Sequence, residues 1–287
     1  MKIKLFFILL LLPFIASAQV KDAYSLFDGK GRKVSYEKMI KDASGVDVLF
    51  FGELHNNTLN HWLELQIAKD VKKAGRDLSI GMEMFETDDQ LIIDEYMNGL
   101  IDEKQFLNEA KFWDNYKTDY KPIVEFARSN KSKLVGTNVP RRYANLAYKK
   151  GLAGLDSLSA EAKALIAPLP ITVDYAQSTY KEMAEGMGSH GGGSAKNLVA
   201  AQALKDATMA HNILKHLQDG QVFYHLNGAF HSERHEGIIT YLKQQKPSLK
   251  IITIHVVEQE NLDTLEAASI GKADYILVIA SDMTKSY

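Results

Sequence analysis

The sequence lacks cysteine altogether. No disulfide bond can therefore stabilise the fold, and the chain must be held together by its own hydrophobic core. With 287 residues it is long enough to build one. The same absence excludes attachment to a membrane through a lipidated cysteine.

The sequence also lacks a block of basic residues. Its 34 lysines and arginines are interspersed with 36 acidic residues, for a net charge of −2. Nucleic acid binding normally needs a concentrated positive face, so we expect no nucleic acid partner. No phosphate-binding loop, dinucleotide fingerprint or Gly-x-Ser-x-Gly elbow occurs. Nucleotide binding and hydrolysis by a serine nucleophile are therefore disfavoured.

A long hydrophobic run occurs only near the amino terminus. Lys2 and Lys4 precede an apolar run from Leu5 to Ile15, and small residues end at Ala18. This is the layout of a secretory signal peptide, and the run is too short for the roughly 20 residues of a membrane span. We predict Sec-dependent export, cleavage after Ala18, and a soluble periplasmic or envelope protein that is not a lipoprotein. No long linker or repeat follows, so residues 19–287 are predicted to form one domain.

Short apolar runs alternate with longer helical patterns along the rest of the chain. This alternation predicts an α/β fold with a mainly parallel sheet covered by helices on both faces. The predicted strands are Val48–Phe51, Leu78–Met84, Lys133–Thr137, Val222–Leu226, Lys250–Val256 and Asp274–Ile279. Helices are predicted after Asn57 or Thr58, from Asp88 to Gly99, after Pro140, and over Ser194–Leu217.

The segment from Asp174 to Gly193 fits this scheme least well. It combines tyrosines, methionines and a histidine with several glycines. We interpret it as a helical lid inserted into the fold rather than as part of the sheet.

Polar residues lie at or directly after the carboxyl ends of four of the predicted strands. Open parallel sheets bind ligands beyond the carboxyl ends of their strands, so these residues are expected to meet at one edge of the sheet. They are Glu53 and His55, Glu83, Arg141, and His231.

Glu53 and Glu83 need partners, because a buried carboxylate is costly unless a cation, a metal or a hydrogen-bond donor neutralises it. For Glu53 and His55 the sequence leaves a metal site, a proton-transfer pair and a structural network open. For Glu83 an ion pair with Arg141 would suffice. In the catalytic interpretation His55, His231 and Glu53 hold a divalent metal ion, and the remaining glutamate acts as general base.

Taken together, several short motifs resemble the ChaN family of haem-binding, iron-regulated proteins. They span most of the chain in the family's order: Gly52-Glu53-Leu54-His55 with His61 and Gln66, Gly81-Met82-Glu83-Met84-Phe85 with Gln90 and Gly99, Trp113, Asn138-Val139-Pro140-Arg141, Ala201-Gln202 with Asp206 to Ala210, and Gly228-Ala229-Phe230-His231 with Arg234 and Gly237. Each motif is weak alone, and the set is specific.

The resemblance implies a fold shared with the Tiki proteases and the erythromycin esterases. It also implies a role in haem uptake at the envelope, and a homodimer that holds two haems face to face. In that family the iron is bound by a tyrosine, with a histidine contributed by the partner subunit. Family members are commonly lipoproteins, and this chain departs from that pattern because it has no lipobox cysteine.

The haem hypothesis centres on the predicted lid. Haem iron takes an oxygen or nitrogen ligand, and its faces pack against soft apolar groups. Tyr180, His190, Met183 and Met187 are the predicted haem-binding residues, and Lys196 the partner of the propionates. Tyr175 is an alternative ligand, but Tyr180 is favoured because it shares a helical face with the two methionines.

Two functional hypotheses follow. The first is an exported haem-binding protein of haem or iron uptake, with an outer-membrane haem or iron receptor as a further partner. The second is a metal-dependent protease or esterase that uses Glu53, His55, Glu83, Arg141 and His231.

Overall fold

The computed structural model describes residues 22–186 and 194–287. The predicted signal peptide lies outside these ranges, and so do Met187 and His190 of the predicted lid.

A single seven-stranded sheet forms the centre of the fold. Its strands are β1 Tyr24–Asp28, β2 Val48–Glu53, β3 Asp77–Glu86, β4 Lys133–Asn138, β5 Gln221–Gly228, β6 Ile251–Gln259 and β7 Tyr275–Ala280. They lie side by side in the order β1-β7-β6-β2-β5-β3-β4. β1 is antiparallel to β7, and all other neighbours are parallel. The predicted α/β class and the mainly parallel sheet are confirmed.

All six predicted strands are present, with bounds that differ by three residues or fewer. The strand that the sequence analysis missed is β1. Among the strands of the described residues, β7 is its one partner, and β1 lies at the edge of the sheet. Its short run of mixed residues gives little periodicity from which a strand could be predicted.

Ten α-helices accompany the sheet in the described residues. They are α1 Tyr36–Ala43, α2 Thr58–Lys73, α3 Gln90–Met97, α4 Glu103–Glu109, α5 Lys121–Ser129, α6 Arg141–Lys150, α7 Ala160–Lys163, α8 Ser178–Gly186, α9 Ala195–His216 and α10 Ile238–Gln245. The Asn57 side chain accepts hydrogen bonds from the first turn of α2, and Ser194 does the same for α9. The predicted helix starts at these two positions are confirmed.

The central strand β2 packs against both helical layers. Leu49 and Phe51 belong to a core that includes residues of α1 to α5. Val48 and Phe50, which alternate with them, belong to a core that includes residues of α9 and α10. Because successive side chains of a strand point to opposite faces, this alternation confirms the prediction of helices on both faces of the sheet.

The described part of the predicted lid, residues 174–186, contains the helix α8, which packs against α9. Its amino-terminal residues Ser178 and Thr179 each donate a backbone N–H and a hydroxyl to the carboxylate of Glu236, at 2.8–2.9 Å. A carboxylate at a helix amino terminus stabilises the helix through these bonds and the helix dipole. Glu236 therefore holds the start of α8 against the rest of the fold.

None of the helices in residues 22–186 and 194–287 has both the length and the hydrophobicity needed to cross a membrane.

Candidate functional site

A cavity of about 1260 Å³ opens at the carboxyl edge of the sheet. The ends of β2, β3, β5 and β6 form its floor, and residues of α6, α8 and α9 contribute to its walls. Glu53, His55, Glu83, Arg141 and His231 all line it. The structure thus brings together the five residues that the sequence analysis placed at this edge, although they are far apart along the chain.

Glu53 and His55 form a hydrogen-bonded pair at the end of β2. Glu53 Oε1 lies 2.7 Å from His55 Nδ1, and it also accepts a hydrogen bond of 2.6 Å from the Tyr120 hydroxyl. The Glu53 side chain is fully buried, whereas that of His55 is 36% exposed. The His55 ring packs edge-on against Trp113. The pair therefore has a buried carboxylate and an imidazole at the cavity surface.

The imidazole of His55 is held close to the backbone of β5. A Cβ atom on Gly228 would lie 2.7 Å from His55 Nε2, so only glycine leaves room for the ring in this position. Burial lowers the pKa of His55, but the hydrogen bond to Glu53 and the charges of Glu53 and Glu83 outweigh it, and the pKa is raised. Glu53 thus orients the ring through Nδ1 and favours its protonated form.

A second ionic network lies beside the first. His231 Nε2 is 3.1 Å from Glu83 Oε1, and His231 Nδ1 is bound to Asp206 Oδ1. Glu83 Oε2 accepts a further hydrogen bond of 2.8 Å from the backbone N–H of Gly228. His231, Glu83 and Asp206 are all buried. One imidazole thus bridges two buried carboxylates.

The charges of this network stabilise one another. Burial disfavours the protonated form of His231, but the carboxylates of Glu83 and Asp206 outweigh burial and raise its pKa to about 10. Burial alone would raise the pKa of Glu83, but the positive charge of His231 keeps it well below its usual value. At neutral pH the network therefore contains an imidazolium between carboxylates.

This arrangement revises two of the sequence-based expectations. The counter-ion of Glu83 is His231, because the structure records no ion pair with the exposed Arg141 among its described residues. The proposed metal ligands His55, His231 and Glu53 do not converge on one point, since both ring nitrogens of His231 face carboxylates. As arranged, this set does not fit a single metal ion.

A third group of polar residues lies behind Glu53, away from the cavity. His61 Nδ1 is 3.2 Å from Glu64 Oε2 and 4.0 Å from Glu53 Oε2. Burial and the neighbouring Glu53 carboxylate raise the pKa of Glu64 well above its usual value. We call Glu53, His61 and Glu64 the inner cluster. Glu53 belongs to both this cluster and the cavity wall.

The predicted haem ligand Tyr180 is placed differently from the expectation. Its side chain is 1% exposed, and its hydroxyl donates a hydrogen bond of 2.7 Å to Asp206 Oδ2. Tyr180 is part of the core between α8 and α9 and does not line the cavity. The alternative ligand, Tyr175, is 43% exposed. Of the two tyrosines, Tyr175 is the one that the structure leaves accessible.

Of the other residues predicted to hold haem, one lines the cavity, one lies away from it and two are outside the described residues. Met183 lines the cavity from α8, as expected for a soft group against a ligand. His190 and Met187 lie outside the described residues. Lys196 is exposed and does not line the cavity. Lys205, which lies further along the same helix α9, lines the cavity instead and contributes a positive charge near Glu83.

Sequence reasoning assigned no role to Asp206, Glu64 or Tyr120. Asp206 and Glu64 were detectable in principle, because each is a carboxylate at the buried positions of its helix. Asp206 shares its face of α9 with Ala203 and Ala210, and Glu64 follows His61 by three residues on α2. Tyr120 gave no such signal. It is the last residue of a π-helical turn, Tyr116–Tyr120, and this turn does not produce the regular spacing of apolar residues that identifies an α-helix.

Comparison with known proteins gives matches of very different extent. Protein RETICULATA-RELATED 5, chloroplastic, from Arabidopsis thaliana is 25% identical over 134 residues, which are 44% of this chain and 18% of that protein. The chain thus spans about a fifth of that relative. A solved structure from Bacillus cereus has a TM-score of 0.50 at 12% identity, covering 90% of this chain and 95% of the other.

A stronger similarity is to a structure that shows cofacial heme binding to ChaN of Campylobacter jejuni. It has a TM-score of 0.66 at 19% identity and covers 90% of this chain and 97% of that one. At this identity the likeness concerns the fold. The family model described as haem-binding uptake, Tiki superfamily, ChaN matches residues 39–242. Since this match spans well over half of the sequence, the chain belongs to the ChaN family of haem-binding uptake proteins in the Tiki superfamily.

Proposed function

We propose that this protein binds haem. The observation that carries the proposal is the match of the haem-binding ChaN family model to residues 39–242, a range that includes the ends of β2 and β3 and the whole of α8. The fold relative from Campylobacter jejuni is itself described as binding heme cofacially. Export to the periplasm or envelope, a homodimer and a role in haem or iron uptake with an outer-membrane receptor belong to the same proposal.

The side chains around the cavity suit a porphyrin. Haem needs apolar or soft groups against its faces and cations for its propionates. Met183 and Leu198 supply apolar surface, and Arg141 and Lys205 supply positive charge. The volume of about 1260 Å³ exceeds the roughly 300–1,000 Å³ of ordinary small-molecule pockets. There is thus room for a ligand as large as haem.

We assign the iron ligand of this proposal to Tyr175. Neither Tyr175 nor Tyr180 lines the cavity. A haem shared between two copies needs ligands at an exposed surface, and Tyr175 is accessible whereas the Tyr180 hydroxyl is bound to Asp206. Tyr175 would hold the iron through its phenolate oxygen, a ligand that tyrosine provides in other haem proteins. His190 remains a candidate for a second ligand.

Titration with hemin tests this assignment. We expect a saturable shift of the Soret band, and we expect Tyr175→Phe to weaken binding at least tenfold because the iron loses its oxygen ligand. Tyr148→Phe is the matched control, since Tyr148 is a half-buried tyrosine on the cavity wall. A larger loss with Tyr148→Phe would contradict the assignment of Tyr175. No Soret shift at micromolar hemin would contradict haem binding itself.

A second candidate function is hydrolysis without a metal at His55. The observation that favours it is the Glu53–His55 pair, in which the carboxylate holds Nδ1 and the ring reaches the cavity surface. In its neutral form His55 would take a proton from a water at Nε2, the resulting hydroxide would attack the substrate carbonyl, and the imidazolium would return the proton to the leaving group. Glu53 would orient the ring and stabilise its positive charge.

Gly228 offers a test that keeps the imidazole in the protein. Gly228→Ala places a Cβ too close to the His55 ring, so the ring must move. Because the His55 side chain is partly exposed, this movement should cost little stability. We expect ester hydrolysis, measured with p-nitrophenyl acetate, to be lost in His55→Ala and to fall at least tenfold in Gly228→Ala. Hydrolysis that is the same in the wild type and in His55→Ala would contradict this candidate.

A further inference from the structure

The inner cluster is a compact set of metal-ligating side chains that neither proposed function uses as a unit. Glu53, His61 and Glu64 each offer one ligand atom, and these atoms lie within 4.8 Å of one another. The three residues are 2%, 4% and 0% exposed. They are brought together because α2 starts immediately beyond the end of β2 and turns its buried face towards Glu53.

Two carboxylate oxygens of this cluster have no hydrogen-bond partner among the described residues. They are Glu53 Oε2 and Glu64 Oε1. A buried polar atom without a partner costs about 1–3 kcal/mol, so each such atom in a native structure needs an explanation. Two of them in adjacent buried carboxylates need a cation between them, either the proton that the raised pKa of Glu64 implies or a metal ion in its place.

His61 is oriented as metal-bound histidines usually are. Its Nε2 lies 3.1 Å from the backbone carbonyl oxygen of His55, to which it can donate its hydrogen. Nδ1 faces the carboxylates of Glu64 and Glu53. Burial opposes the protonated ring, but these carboxylates raise the pKa of His61 to about 10, so a metal ion bound at Nδ1 would take the place of a proton. A backbone carbonyl that fixes the tautomer in this way is a common partner of histidines that bind metals.

We propose that the inner cluster binds one divalent transition-metal ion of the Zn²⁺ type through Glu53 Oε2, His61 Nδ1 and a Glu64 carboxylate oxygen. One imidazole nitrogen and two carboxylate oxygens form a ligand set that Zn²⁺ accepts, whereas Ca²⁺ and Mg²⁺ prefer oxygen ligands alone. The ion would displace the proton of Glu64, and the two negative charges of the glutamates would then balance its charge.

The ion would be connected to the cavity through Glu53. The same carboxylate binds His55 and Tyr120 through Oε1, so its two oxygens face different partners. A metal on Oε2 would fix the orientation of the Glu53 carboxylate and, through it, the ring of His55. Glu53 also lines the cavity, so the proposed ion and the cavity would share this one carboxylate.

Metal analysis of the full chain, freed of metal by chelator and of haem, tests the proposal. After dialysis against ZnCl₂ we expect one ion per chain by mass spectrometry and an increase in Tm of about 5 °C or more at saturating Zn²⁺, because the ion binds only the folded state. MgCl₂ at the same concentration should give neither result. Absence of stoichiometric Zn²⁺ would overturn the proposal.

Two matched variants locate the ion. Glu64→Gln keeps the shape of the side chain and removes one ligand, so we expect Zn²⁺ affinity to fall at least a hundredfold. His55→Ala leaves the three proposed ligands in place, so the stoichiometry should remain one. Loss of Zn²⁺ in His55→Ala with retention in Glu64→Gln would place the ion in the cavity and overturn the assignment.

A spectroscopic measurement on the wild type covers the case in which Glu64→Gln does not fold. Pulsed electron paramagnetic resonance of the protein loaded with Mn²⁺ should show coupling to one imidazole nitrogen, that of His61. Coupling to two imidazoles would indicate a site formed by His55 and His231, and coupling to none would exclude His61. Either result would overturn the proposal, and neither depends on whether the protein binds haem.

Discussion

Replacing His231 with alanine is expected to lower the free energy of unfolding by roughly 3–5 kcal/mol. His231 is the positive group between the buried carboxylates of Glu83 and Asp206. Its removal leaves both without their counter-ion, and breaking a buried ion pair in this way is far more costly than losing an exposed one. Chemical denaturation followed by circular dichroism measures the effect.

His55→Ala is the matched control for this prediction. It removes the same type of side chain from the same cavity, but His55 is partly exposed and Glu53 keeps the hydrogen bond from Tyr120. We expect a loss of about 1 kcal/mol. Equal losses for the two histidines would show that the buried network does not contribute the stability assigned to it.

A double variant separates charge from packing. Adding Asp206→Asn to His231→Ala removes one of the two carboxylates that the single variant leaves unpaired. If uncompensated charge causes the loss, the double variant should be more stable than His231→Ala alone. A further decrease would instead indicate that shape and packing around His231 dominate.

The sheet and the position of the candidate site were predictable from the sequence for a simple physical reason. Strands covered on both faces are short apolar runs, and Val48–Phe51 and Val222–Leu226 are such runs. Parallel strands end at the same edge, so residues that follow them meet there. This placed Glu53, Glu83 and His231 around one cavity without knowledge of the order of the strands.

The pairing of the charged groups could not be predicted in the same way. Arg141 follows β4 and His231 follows β5, and both of these strands lie directly beside β3. Glu83, on β3, meets His231 rather than Arg141, because the turn after β5 buries the His231 side chain whereas Arg141 begins α6 with its side chain exposed. The path of the chain after each strand decides which side chain reaches Glu83, and that path is not contained in the local pattern of any strand.

The surroundings of Tyr180 could not be predicted, for a related reason. Tyr180 and Met183 are three residues apart, which places them near each other on a helix. Helical spacing does not say whether the shared side faces a ligand or the core. Asp206, on α9, accepts a hydrogen bond from the Tyr180 hydroxyl, and the Tyr180 ring lies in the core, while Met183 lines the cavity.

The stability of the protein should also depend on pH through the same network. Burial opposes the charge on His231, but Glu83 and Asp206 outweigh it and raise its pKa from 6.5 to about 10. A group whose pKa is raised by folding contributes stability that is complete below its unfolded pKa and is lost as the pH rises towards the folded pKa. For His231 this window runs from about 6.5 to about 10.

Glu83 acts in the opposite direction at acidic pH. Its pKa is lowered by His231 against the effect of burial, so its contribution is present above its unfolded value of 4.5 and is lost as the pH falls below it. The network as a whole should therefore stabilise the fold most between about pH 4.5 and 6.5. Titration of either partner outside that interval removes one charge of the pair.

Comparison of pH 6 with pH 9 gives the clearest measurement. Over this interval His231 should account for a decrease in the free energy of unfolding on the order of 3 kcal/mol, since each pKa unit corresponds to about 1.4 kcal/mol. His231→Gln has no titrating ring, so its decrease should be smaller than that of the wild type by this amount, and other groups cancel in the comparison. If the wild type and His231→Gln lost equal stability between pH 6 and pH 9, the pKa of His231 would be the same in the folded and the unfolded protein, and the carboxylates of Glu83 and Asp206 would not stabilise its charge at the carboxyl edge of the sheet.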